Sequence, residues 1–347
     1  MGFYTGLVRP ILFMMNAETT HELGKWFFKQ EYLWSLSRSY LKFQDEVLHT
    51  TVGGVNLKSP FGLSAGWDKN CELIASMSNM GFGYLTPGTV MPHSREGNPR
   101  PRIVRYAKKQ SLGNALGLPS EGVERALERL KHKSSSVPIF PSIGGYTVEE
   151  IDRSHSLLEP EVDGIELSLR CPNVYDKEAS FMEPENLSQL LSRINDHRKK
   201  ALFVRVPSYH NPKDRENRLD LIDVCLKNHV DALTLSGTRK IEEKNVSVDF
   251  VNLTGKDILS DSIRIVHDIY KATEGKIPIK SSGGVFTARD AFRMIKAGAS
   301  TVEILTALVY EGWSVVRNLN RGLANLLREE GYTSLQEARG VLKTIAA

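Results

Sequence analysis

From about Val47 onward, short apolar runs alternate with amphipathic stretches, and this alternation constrains the fold of the 347-residue chain more than any other feature. The strand-like runs are 61–65, 83–87, 139–143, 164–169, 201–206, 232–235, 277–280 and 301–305. Helical patterns at 121–130, 187–197, 219–227, 260–272 and 288–297 lie between most of them. Eight strand-then-helix units in a row predict an α/β fold with its parallel sheet closed as a (β/α)8 TIM barrel. An open doubly wound sheet is the alternative, but it usually shows GxGxxG after its first strand, and none follows 61–65. Loops after the first, second, fourth, sixth and eighth runs hold the unusual residues, as expected for a site at the C-terminal face of a barrel.

The first 45 residues read differently and are assigned to an N-terminal helical extension, with the barrel spanning 46–347. Val8, Ile11, Leu12, Met14 and Met15, then Leu23, Trp26, Phe27, Leu33, Trp34 and Leu36, recur at helical spacing. Arg9, Lys25, Lys29 and Arg38 intersperse them. One reading is a helical hairpin packed on the barrel. The other is an interfacial element, because a Trp/Phe/Leu face with a cationic rim suits a membrane surface.

Composition narrows the classes. Lys+Arg 45 against Asp+Glu 41 gives +4, too weak a bias for a nucleic-acid binder. Cys71, Cys171 and Cys225 show no CxxC spacing, which argues against a disulfide framework or a metal site and for a reduced, cytoplasmic setting. No run approaches the ~18–20 apolar residues of a membrane span, and residues 7–15 hold Arg9 and Pro10 and lack a signal-peptide cleavage site.

Two segments bear chemistry. Ser281-Ser282-Gly283-Gly284-Val285 follows a strand and precedes a helix opened by Thr287, and Ile304-Leu305-Thr306-Ala307 closes the next strand. Loops in these places commonly hold a phosphate on backbone N–H groups, and paired glycines permit the close approach. A plain tight turn is the alternative. In Glu166-Leu-Ser-Leu-Arg-Cys-Pro-Asn173, Cys171 sits just past a strand, where a tuned thiol serves as general base or acid. A buried apolar filler is the competing reading.

Six motifs occur in order: Phe61-Gly-Leu-Ser-Ala-Gly-Trp-Asp-Lys69, Gly88-Thr-Val-Met-Pro92, Glu96-Gly-Asn-Pro-Arg-Pro-Arg102, Asn114-Ala-Leu-Gly-Leu-Pro119, Cys171-Pro-Asn173 and Ser282-Gly-Gly284. Together they resemble the dihydroorotate dehydrogenase family, FMN-dependent barrels of pyrimidine biosynthesis, over nearly the whole chain. The N-terminal hairpin, Ala-Gly-x-Asp-Lys and Gly-Thr-Val-x-Pro look like the membrane-associated, quinone-using class. Residues 96–102, 114–119, 171–173 and the tail from Thr306 through Tyr332 look like the soluble class, which uses cysteine as base where the other uses serine. The resemblance implies Cys171 as the catalytic base, with Lys69, Asn114, Asn173, Ser168, Gly237 and Thr238 at the substrate. It implies Ala65, Gly66, Thr89, Ser142, Arg205 and Ser236 around the flavin ring, and Gly255, Gly283, Gly284 and Thr306 at its phosphate and ribityl end. It further implies a quinone acceptor and peripheral attachment to the inner face of a membrane, and leaves monomer or homodimer open.

The departures are as informative. Ser168 and Gly237 stand where the family has substrate-binding asparagines, Arg205 where it has a lysine near the flavin N1 edge, and Arg170 where it has a small residue. Gly237 is expected to leave space in the substrate pocket, and Arg170 and Arg205 to add positive charge or pair with Glu166. Three functions follow: dihydroorotate oxidation, the same FMN chemistry on another small anionic enone or cyclic imide, or a paralogue that has lost catalysis.

Overall fold

The computed structural model describes residues 2–169 and 181–344. Each of the eight apolar runs enters one parallel sheet. Its order is Tyr84–Leu85, Phe61–Leu63, Thr301–Ile304, Ile279–Ser282, Ala232–Leu235, Ala201–Val206, Gly164–Ser168, Ser142–Ile143 and Gly88–Val90. The second stave is split, its halves 84–85 and 88–90 pairing with opposite neighbours. The split closes the ring: Leu85 N–H donates to Pro138 O at 3.0 Å, and Phe140 N–H donates to Leu85 O at 2.8 Å. The result is a barrel with helices outside, as expected.

These strands are largely apolar, because side chains inside the ring and under the helices both lose water. The helices begin where side chains satisfy their free N–H groups. Thr147 with Glu150, and Thr287 with Asp290, form reciprocal capping boxes at Val148–Leu158 and Ala288–Lys296. The expected helices appear as Val123–Lys131, Pro184–Asn195, Pro212–Lys227, Leu259–Ala272 and Ala288–Lys296.

The periodicity gave no sign of a four-stranded antiparallel sheet of Arg239–Glu242, Phe250–Gly255, Ser111–Asn114 and Ile103–Tyr106. Three of its strands are only four residues long and hold glycine or basic residues, so no two-residue alternation stands out. Cys71 lies in a bend at φ 59°, outside any helix, whereas Cys225 lies in the 212–227 helix. Both thiols are buried, and burial raises both pKa values, that of Cys225 to about 12.

The N-terminal segment forms a π-helical turn, Tyr4–Val8, and helices Arg9–Met14, Ala17–Phe28 and Glu31–Leu41. Asn16 caps the 17–28 helix through Glu18 N–H at 2.9 Å. Glu18 then ties that helix to the barrel, accepting from Arg102 N–H at 2.7 Å, Arg102 Nη2 at 3.2 Å and Arg100 Nε at 2.9 Å. The aromatic cluster divides. Trp34 is 4% exposed, stacked on Phe28 at 5.0 Å and set edge-on to Trp313 at 6.1 Å, while Trp26 is 62% exposed. Phe3, Leu7, Ile11, Met14, Leu33 and Leu36 are exposed on the same segment. The cationic rim is partly spent, since Lys25 and Lys29 both pair with Glu72.

Candidate active site

A cavity of about 680 Å³ lies between the N-terminal helices and the C-terminal ends of the barrel strands. Phe3, Tyr4, Val8, Leu12, Trp26, Phe27 and Phe28 give it an apolar wall. Across from them the barrel contributes Ala65, Gly66, Lys69, Asn114, Arg205, Ser236, Gly237, Thr238, Gly255, Gly283, Gly284 and Thr306, all singled out from sequence. Thr89 and Ser142 are outside this lining and pair with each other, hydroxyl to hydroxyl, at 3.3 Å. Ser168 ends the 164–168 strand, half-buried, and is also outside the lining. Cys171 and Asn173, with Arg170, lie outside the described residues.

Local structure accounts for several placements. Asp68 is buried and accepts from Glu72 N–H at 2.9 Å and Leu73 N–H at 2.8 Å, so the Asp of the Ala-Gly-x-Asp-Lys motif shapes the turn that delivers Lys69. Burial raises the pKa of Asp68. Lys69 Nζ donates to Gly66 O at 2.8 Å. Burial, reinforced by nearby Lys25, pulls the ammonium down to about 8. Gly66, at φ 106°, has a backbone that other residues rarely adopt. Asn114 comes from the unforeseen antiparallel sheet, where it is paired with Asn252 and Ile103. Thr254 and Thr306 share a hydrogen bond at 3.0 Å.

Gly237 corrects the sequence reading. A Cβ there would lie 2.3 Å from Ser262 Oγ and 2.3 Å from the Ser282 carbonyl oxygen, so the missing side chain leaves no space. Its backbone and that of Gly283 pack directly together. The expectation about Arg205 is resolved in favour of pairing, and with more partners than Glu166.

Arg205 Nε donates to Glu166 Oε1 at 2.8 Å, and Nη2 donates to Glu303 Oε2 at 2.9 Å. Lys280, fully buried, pairs with Glu166 at 3.0 Å and Glu303 at 3.2 Å. The hydroxyl of Thr234 donates to Glu166 at 2.6 Å, and those of Ser64 and Thr86 donate to Glu303, each at 3.2 Å. Beneath the ammonium lie the rings of Phe203, Tyr84 and Phe140, at 4.7, 5.3 and 5.6 Å. Burial disfavours ionised Glu166, but Arg205 and Lys280 overcome it and hold the carboxyl at about 2. The same carboxylates raise the pKa of Arg205. Lys280 and Glu303 were passed over in the sequence as ordinary strand residues, although a charge inside a strand buried on both faces was the available signal. His21, in the cavity wall, is held neutral by burial with Lys69 next in effect, its pKa lowered to about 3.

A family model described as dihydroorotate dehydrogenase matches residues 47–327. A relative from Roseiflexus sp. (strain RS-1), described as dihydroorotate dehydrogenase (quinone), is 28% identical, covering 97% of this chain and 98% of its own. One of the same description from Natronomonas pharaonis is 30% identical, covering 98% and 99%. The ligand-free DHODH structure from Eimeria tenella superposes with a TM-score of 0.83 at 26% identity, covering 95% of this chain and 100% of the other. Fold and comparisons define a flavin-dependent oxidoreductase of the TIM-barrel class. The chain belongs to the dihydroorotate dehydrogenase family.

Proposed function

We propose that the chain oxidises dihydroorotate to orotate with bound FMN and passes the electrons to a quinone. The observation that carries this reading is one continuous cavity, which joins a glycine- and hydroxyl-rich barrel mouth to an apolar wall of N-terminal helices. The donor set suits FMN. Gly255, Gly283 and Gly284 allow backbone approach to a phosphate, the Thr254/Thr306 pair offers hydroxyls to a ribityl chain, and the Arg205 guanidinium suits an electron-rich ring edge. A bound flavin would accept the hydride from the substrate.

Lys69 would supply the charge that holds the substrate carboxylate, and Asn114 an amide able to donate and accept toward the ring. Cys171, Asn173 and Ser168 complete the proposed substrate face on sequence grounds, with Cys171 removing the proton beside the carbonyl. Thr89, Ser142, Ala65, Gly66 and Ser236 are proposed around the flavin ring. Gly237 and Thr238 contribute backbone only at position 237. Dihydroorotate is preferred over another anionic substrate because two of the four motives for a change have weakened, those of Gly237 and Arg205, while Ser168 and Arg170 still stand: Gly237 opens no space, and two carboxylates offset the charge of Arg205.

The names of the relatives support quinone as acceptor. Phe27, Phe28 and Trp313 line the cavity where an apolar acceptor would enter, and the exposed Trp26, Met14 and Ile11 would rest on the inner face of a membrane. Among the described residues no helix is long and apolar enough to cross a membrane. Residues 1–45 are proposed as the extension that serves this purpose and 46–347 as the barrel. Anaerobic mixing of oxidised enzyme with dihydroorotate tests the reading: flavin bleaching is expected, slowed ~10²–10⁴-fold by Cys171→Ala. Rapid bleaching by the variant refutes the Cys171 assignment, and no bleaching of the wild type refutes the substrate.

A further inference from the structure

Arg205, Lys280, Glu166 and Glu303 form a closed set of two cations and two anions in which each carboxylate touches both cations. The set sums to zero charge. Arg205 commits Nε and Nη2 to the carboxylates, leaving Nη1 with no carboxylate partner while the residue lines the cavity. Every oxygen of Glu166 and Glu303 is engaged, and a cage of three rings closes the set from below.

We propose that Glu166, Glu303 and Lys280 are positioning residues that set how strongly Arg205 favours negative charge on a bound flavin. The inference rests on the FMN reading above. An isolated cation at Arg205 would draw electron density onto the flavin with its full charge. Two carboxylates within hydrogen-bond distance cancel much of that field, and Lys280 restores part of it. Glu303 reaches the cavity lining beside Arg205, whereas Lys280 and Glu166 are absent from it, so part of the balance is set by residues that do not touch the cavity contents. The fork of the guanidinium makes the arrangement possible, since one face binds both carboxylates while another nitrogen stays available. A lysine ammonium at 205 would offer no such fixed division.

Sulfite titration of the purified, flavin-loaded enzyme, followed by absorbance, reads this balance without turnover. Sulfite adds its lone pair to flavin N5, and the negative charge moves to the N1 edge, so a more positive surrounding tightens binding. Glu303→Gln keeps the side-chain shape and removes one negative charge, and the sulfite Kd is expected to fall roughly tenfold. That is the scale of one unit charge acting over about 10 Å at an effective dielectric near 20. Lys280→Met removes a positive charge, and the Kd is expected to rise by a similar factor. The isoelectric pair Glu303→Gln with Lys280→Met is expected to return near the wild-type value. If Lys280→Met alone does not fold, Glu166→Gln replaces it, with the same tightening expected as for Glu303→Gln. An unchanged Kd in Glu303→Gln, or shifts of the same sign in Glu303→Gln and Lys280→Met, would overturn the proposal. Wild-type protein that purifies without flavin would instead overturn the FMN reading beneath it.

Discussion

Gly237 invites a substitution whose outcome the structure sets. Restoring the family's asparagine would seem to rebuild a lost substrate contact. The backbone of Gly237, however, is wedged between Ser262 and the carbonyl end of Ser282, and a Cβ would sit 2.3 Å from an atom of each. Ordinary contact begins near 3.4 Å, so both neighbours must retreat by about an ångström. Ser262 is buried, and its hydroxyl donates to Ile258 O at 2.9 Å. Turning it away forfeits about 1 kcal/mol. The Ser282 carbonyl is backbone and has no rotamer to escape into, so overpacking adds about 1–3 kcal/mol. Gly237→Ala is therefore expected to lose roughly 2–4 kcal/mol, and Gly237→Asn at least as much. Urea unfolding read by tryptophan fluorescence measures this as a lowered midpoint at unchanged slope. Adding Ser262→Gly is expected to recover the hydroxyl part only. A Gly237→Ala protein within ~0.5 kcal/mol of wild type, or a stable Gly237→Asn enzyme with improved dihydroorotate turnover, would refute the reasoning.

Three further outcomes are expected. Lys69, pulled down to about 8, loses its proton as pH rises through that value, so KM for dihydroorotate should climb up to tenfold per pH unit above 8. In Lys69→Arg the break should vanish from a pH profile of kcat/KM. His155 is buried with Nδ1 unpartnered, and burial lowers it to about 4 against the opposing pull of Glu159. The unfolded chain then binds a proton the native one declines, so stability is full above about 6.5 and falls as pH drops toward 4; His155→Phe should flatten that slope in denaturation series. Glu18→Ala removes the anchor between the 17–28 helix and the Arg100/Arg102 loop and should cost about 1–3 kcal/mol locally, seen as faster proteolysis of the N-terminal helices with barrel unfolding unmoved.

Much of the barrel was legible because its strands are buried on both faces. A run such as 201–204 is then continuously apolar and stands out from the helical patterns beside it. The antiparallel sheet carrying Asn114 was not legible, because its strands 103–106 and 111–114 are short, only partly buried and interrupted by Arg105 and Gly113. Motifs led to Lys69, Asn114 and the glycine pair, which the fold gathers at one cavity although they lie as far apart as 69 and 284. They did not lead to Lys280 or Glu303, whose meaning depends on which strands become neighbours across the ring. Gly237 shows the reverse limit. A missing side chain reads in sequence as a hole, and only packing reveals that Ser262 and Ser282 already fill it. Trp34 was grouped with Trp26 by helical spacing alone, yet a hairpin turns one inward and leaves the other in solvent.

The ring cage below Lys280 has a consequence for traffic. Tyr84, Phe140 and Phe203 are fully buried, with neighbouring centroids 5.3 and 4.8 Å apart, and the Tyr84 hydroxyl is spent on Thr301 at 2.9 Å. They stopper the lower end of the barrel with hydrocarbon. Three rings packed tilted and edge-on offer no hydrogen-bonded path to water or a mobile proton. Whatever enters the chamber above, whether solvent, substrate or the proton that must depart after each oxidation, has to use the upper rim. Solvent exchange there is consequently tied to the same crevices that admit the ligands, and a bound ligand doubles as a cork.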